Sequence, residues 1–139
     1  MKEFKNEKDK RAFAWFYQAQ EDFRWGEDSL KNGFFPQTCF VAQQVAEKSL
    51  KALAYYRGYD LVKGHNLAQL SNKLSFNGEI LRAAQTLDLY YSSSRYPDVL
   101  PDFGIPSFQF NQDQAKNALD LALLVFEKAK MEMSELFDQ

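Results

Sequence analysis

Reactive side chains are scarce in this chain of 139 residues, which has one cysteine, Cys39, and one histidine, His65. A single cysteine excludes an internal disulfide and any zinc cluster built on several thiolates. A single histidine means that a multi-histidine metal site needs a second subunit. Long apolar runs are also missing. The longest, residues 121–126 (LALLVF), is far short of the roughly 20 residues that span a bilayer. The first ten residues are charged and lack the apolar core of a signal peptide, so the cytoplasm is the expected location. Neither sign of charge is in excess. Seventeen Lys and Arg against nineteen Asp and Glu leave a net charge of −2, which argues against a strongly basic, nonspecific nucleic-acid binder. Walker loop, dinucleotide fingerprint, HExxH and nucleophile-elbow patterns are all absent, and no metal or cofactor is expected.

Aromatic residues, by contrast, are abundant: 13 Phe, 7 Tyr and 2 Trp. That much apolar surface offsets chain entropy and excludes disorder for the bulk of the chain. The length fits one domain, residues 1–139, with a core over about 8–137.

The apolar periodicity is helical almost throughout. Phe16, Ala19, Phe23, Gly26 and Leu30 recur at spacings of three and four and predict a helix over 8–31, stopped by Asn32-Gly33. A second helix is expected from Pro36 to Gly58, with Cys39, Ala42, Ala46, Ser49 and Leu53 inward. A short helix follows Asn66, a plausible N-cap, anchored by Leu67, Leu70 and Leu74. Ile80, Leu81, Ala84, Leu87 and Tyr91 predict a helix over 79–94. Pro97, Pro101, Pro106 and Gly104 then mark an irregular stretch of about fifteen residues, long enough to suggest a functional loop. The last helix is expected over about 111–137. No strand is expected. The predicted fold is all-α: an up-and-down bundle of four long helices plus one short helix.

Two helices are apolar on more than one side. Trp25 falls roughly opposite Phe16 and Phe23, and Leu124 and Met131 fall opposite Ala115, Ala122 and Met133. Burial under the long loop or a short helix is one reading of that surplus. A subunit interface in a symmetric dimer is the favoured one.

Three groups of residues carry candidate chemistry. Gln44, Glu47, Lys48 and Lys51 share one narrow face of the second helix, where Glu47 and Lys51 form an i,i+4 ion pair. By spacing alone this is most simply a solvated face. Phe40 and Tyr55 bracket it, however, and so it is also a candidate docking strip for a partner or a nucleotide. Arg95-Tyr96-Pro97-Asp98 lies where Pro97 must end a helix. Arg95 there complements the helix C-terminus or, alternatively, binds an anion, because its guanidinium grips phosphate bidentately. His65 is the chain's one imidazole, the residue type most used as an acid or base, and so a candidate for that role, although a lone histidine beside an asparagine cap is more often structural.

Four segments, in order, resemble the HEPN domain family (higher eukaryotes and prokaryotes nucleotide-binding). These are residues 15–23 (WFYQAQEDF), residues 40–53 (FVAQQVAEKSLKAL, similar to the family's AQQAAEKALKAL), residues 63–67 (KGHNL, similar to KTHDL) and residues 94–98 (SRYPD) before an alanine-rich last helix. The resemblance covers about 13–136. It implies a helical bundle, commonly a homodimer, and for small stand-alone members a minimal nucleotidyltransferase partner in a toxin–antitoxin-type pair. Some branches are metal-independent ribonucleases that carry Arg followed after four to six residues by His. In this chain seven residues separate Arg57 from His65, and no histidine follows Arg95. The leading expectation is therefore a dimeric module binding a nucleotide or partner through Gln44, Glu47, Lys48, Lys51, Arg95, Tyr96 and Asp98. The alternatives are a divergent ribonuclease using Arg95 and His65 on RNA, and a purely structural interaction protein whose loop covers apolar surface.

Overall fold

The computed structural model describes residues 3–138, and every regular element among them is helical. Helix α1 (Glu7–Lys31) begins where extended Asn6 accepts a hydrogen bond from the Asp9 amide, and it ends at Asn32 before the left-handed Gly33. The connection at 32–34 turns the chain into α2 (Phe35–Tyr56), whose first turn holds Pro36. Helices α3 (Leu67–Lys73) and α4 (Gly78–Asp88) pack on each other, and α5 (Tyr90–Ser93) lies against α2. Two 3₁₀ turns, Pro97–Val99 and Pro101–Phe103, and the single turn α6 (Pro106–Gln109) fill the proline-rich stretch. The long helix α7 (Gln112–Glu132) opens with a reciprocal capping box between Asn111 and Gln114, and α8 (Ser134–Phe137) closes the chain.

Helix α2 is the axis of the molecule, packed along α1 on one side and α7 on another. Its length is buried on most sides, and small residues explain how neighbours approach it. Ala42 and Ala46 of α2 meet Ala12 and Ala19 of α1 and Ala115, Ala118, Ala122 and Ala129 of α7 in one core. Gly26 brings α1 close to α7: a Cβ there would lie 2.7 Å from Leu119 Cδ2. Aromatics fill the wider end, where Phe16 stacks on Phe126 at 4.4 Å and meets Phe137 at 4.7 Å.

Three expectations change in detail. The helix expected over 79–94 breaks at Leu89, whose amide bonds the Thr86 carbonyl three residues back. The Asp88 carboxylate is turned to the start of α3, accepting from the Leu67 and Ala68 amides at 2.7 and 3.0 Å. That break leaves α4 with only 11 residues, so three helices of the bundle are long, and the last of them, 21 residues, ends at Glu132. The proline-rich loop does not simply cover apolar surface. Pro106 is buried and Phe110 packs on Tyr90, but Phe103 and Phe108 are 75% and 79% exposed. Asp102 and Phe103 both adopt left-handed backbone, at φ 54° and 53°. Of the surplus apolar residues, Trp25 and Met131 are exposed in the single chain, whereas Leu124 is half-buried beside Phe76 and Ile80.

Candidate functional site: a polar strip along the central helix

Helix periodicity places Gln43, Glu47 and Lys51 one above another on α2. The face is not solvated as its spacing suggests: Glu47 is 4% and Lys51 6% exposed, and Gln43 is fully buried. The physical reason is that α1 and the loop 57–66 close over it. Lys51 Nζ lies 3.3 Å from Glu47 Oε2 and 5.6 Å from the Trp15 ring of α1. Lys48, on the α1 side, pairs with the buried Asp22, which also accepts from Gln18 at 2.9 Å. Gln44 is half-buried and donates to Gln43 Oε1 at 2.8 Å.

His65 arrives from the loop. The preceding Gly64 has φ 87°, a backbone conformation that side chains disfavour, and Asn66 caps α3 by accepting from the Gln69 amide. The His65 carbonyl accepts from Gln43 Nε2 at 3.3 Å. Its ring Nδ1 lies 2.8 Å from Glu47 Oε1, and its plane stacks on Tyr91 at 4.4 Å and 18°. Half of the side chain faces solvent.

Arg95 reaches the same Tyr91 ring. Pro97 holds Tyr96 in extended backbone, φ −120° and ψ 121°, which ends the helical segment as expected. The Arg95 Nε and Nη2 donate to the Tyr91 carbonyl at 2.9 and 2.6 Å, so it does complement a helix C-terminus. Its guanidinium also lies over the rings of Phe40, Tyr91 and Tyr96, at 4.1, 4.7 and 4.8 Å. The unused donors at Nη1 and Nη2 remain for an anion. Tyr96 is exposed. Asp98 is exposed as well and makes no side-chain hydrogen bond or ion pair among the described residues.

The structure thus links Lys51, Glu47, His65, Tyr91 and Arg95 into one chain of contacts, with Lys48 on a neighbouring branch. Asp98 stands apart. Sequence reasoning did not single out Gln43 and Tyr91 as site residues. Gln43 sits four residues before Glu47, and that spacing was the available signal; Tyr91 carried only an apolar-face signal. No cluster of three or more His, Cys, Asp or Glu gathers as a metal site among the described residues. No helix among them is long and apolar enough to cross a membrane.

The sequence pattern of the HEPN domain matches residues 12–132. The chain belongs to the HEPN family. TT1696 from Thermus thermophilus is 33% identical, with a TM-score of 0.82 over 88% of this chain and 98% of that one. ST0689, an archaeal HEPN homologue, is 29% identical, with a TM-score of 0.74 over 88% and 97%. An HEPN domain protein from Thermotoga maritima, at 24% identity and a TM-score of 0.70 over 87% and 98%, shares the fold. No curated protein matches. The family match spans most of α1 through α7, so the polar strip lies wholly inside the HEPN domain.

Proposed function

We propose that this HEPN protein is a nucleotide-binding module whose ligand rests on the Arg95–His65 end of the strip. One observation carries the reading: Arg95 and His65 pack on the same Tyr91 ring, at 4.7 and 4.4 Å. A guanidinium with unused donors supplies phosphate recognition, and the exposed Tyr96 supplies a face for a base. Lys48 and Lys51 are engaged in ion pairs, so they shape the strip and do not grip the ligand. Titration calorimetry with AMP, ATP and inorganic phosphate tests this. Arg95→Ala is expected to weaken binding at least tenfold while the helical circular dichroism is unchanged. Absence of binding to the wild-type chain overturns the reading.

A second reading, RNA cleavage without metal, draws on the Glu47–His65 hydrogen bond, which orients an imidazole as general acid–base catalysis requires. Its test is incubation of stoichiometric protein with RNA, where loss of cleavage in His65→Ala is the supporting result and intact RNA with wild type the opposing one. In either reading, the family resemblance and the exposed apolar residues support a homodimer acting beside a minimal nucleotidyltransferase in a toxin–antitoxin-type pair. Co-purification of such an enzyme from the native host tests the partner.

A further inference from the structure

The group that holds His65 is charged, buried and itself held. We propose that Glu47 is a positioning residue. Anchored by Lys51 and Gln43, its carboxylate keeps the neutral imidazole of His65 protonated at Nδ1 and leaves Nε2 as a hydrogen-bond acceptor on the patch shared with Arg95. The inference rests on the reading of that patch as the ligand-facing side.

An ionised carboxylate only accepts hydrogen bonds, so an imidazole nitrogen 2.8 Å from Glu47 Oε1 must carry the proton. Whether Glu47 is ionised is decided by its surroundings. A buried carboxyl without a partner sheds its charge, becomes a donor and inverts the hydrogen bond. Lys51 prevents this from 3.3 Å, and Gln43 Nε2 adds a weaker donor at 3.4 Å. Lys51 is itself confined between Glu47 and the Trp15 ring. The titratable and charged groups around the imidazole are Glu47 and, behind it, Lys51 from α2, Tyr91 from α5, and Arg95 over the same Tyr91 ring. Stacking on Tyr91 fixes the ring plane. Nε2 has no hydrogen bond to any described residue.

The assignment narrows the ligand. A group that meets Nε2 must bring a hydrogen, while the group that meets Arg95 must accept one, which an anionic oxygen does most strongly. A phosphate ester with a neighbouring hydroxyl satisfies both.

The chain's one histidine makes the test direct, since only one imidazole contributes signals. Long-range proton–nitrogen NMR spectra of the full, ligand-free ¹⁵N-labelled protein at pH 8 distinguish the protonated from the bare ring nitrogen. The wild type is expected to show Nδ1–H, and so is Lys51→Arg. Lys51→Met and the near-isosteric Glu47→Gln are each expected to give the Nε2–H form or a mixture, with the backbone spectrum still dispersed. Should Lys51→Met fail to fold, Glu47→Gln alone decides. No nucleotide is present, so failure to bind nucleotide sinks the proposed function without touching this result. A wild-type imidazole protonated at Nε2, or an Nδ1–H form that persists in the folded variants, overturns the positioning role.

Discussion

Cys39 shows what burial does to one ionisable group. It has no exposed surface on α2, and desolvation pushes its thiol up to about 12 from 9.0. Between those values the folded chain holds a proton that the unfolded chain has released. Stability is therefore fully present below about pH 9 and falls as pH rises toward about 12. Tyr90 acts in the same direction, raised first by burial and then by the neighbouring Cys39. Urea unfolding at a series of pH values from 8 to 11 is expected to show a falling midpoint, with a shallower fall in Cys39→Ala. An equal slope in that variant would assign the alkaline loss elsewhere. Gly64 is a second single-residue case. No atom lies within 4 Å of a Cβ built there, so Gly64→Ala meets only backbone strain at φ 87°. Left-handed backbone costs an L-residue about 1–2 kcal/mol, and urea unfolding of Gly64→Ala should show a loss of that size.

Between elements, the contact to examine is the ion pair that ties α1 to α2. Asp22 is buried and its partner Lys48 only partly exposed, so removing the lysine leaves a carboxylate with Gln18 alone. Breaking a buried pair from one side typically costs about 3–5 kcal/mol, and replacing both partners with apolar groups is often neutral. Lys48→Met is expected to lose about 3 kcal/mol in urea unfolding, and the Asp22→Leu/Lys48→Met double variant to regain most of it. Additive losses in that cycle would show that the pair is not coupled. The pair also marks where the sequence was legible and where it was not. The helices of 25, 22 and 21 residues follow from their apolar spacing, their caps and the Asn32-Gly33 stop, all local signals. The i,i+4 Glu47–Lys51 pair was equally local and is present at 3.3 Å. That this face is buried was not legible, because α1 and a loop from 57–66 cover it, and such coverage depends on partners remote in sequence. His65 and Arg95, thirty residues apart, meet through Tyr91 for the same reason: only tertiary packing brings a loop and a helix end to one ring. The break at Leu89 was hidden because no proline or glycine marks it; the backbone and the Asp88 contact to α3 do.

For the whole molecule, the question is what the surface leaves uncovered. Phe103 and Phe108 are about three-quarters exposed on a loop next to Tyr96, and Val99 and Ile105 are about half exposed beside them. Trp25 on α1 and Met131 on α7 are also exposed, so the surplus apolar surface is divided among separate places. Scattered single residues need no partner, but several on one short loop favour association. Two consecutive left-handed residues, Asp102 and Phe103, hold that loop in a conformation that costs free energy, which a covering surface would offset. A net charge of −2 offers little self-repulsion against pairing. Sedimentation equilibrium is therefore expected to give twice the 16.2 kDa chain mass. Phe103→Ser/Phe108→Ser is expected to weaken the dimer at least tenfold, since each removed ring forfeits about 1.5–3 kcal/mol of burial. Trp25→Ser/Met131→Ser should leave it intact if the loop is the contact. The reverse pattern would move the interface to α1 and α7, and a monomer at every concentration would remove it altogether. Because Tyr96 adjoins both the loop and Arg95, a dimer closed through the loop brings its partner close to the patch proposed to take a nucleotide, and the serine variants should then weaken AMP binding along with association.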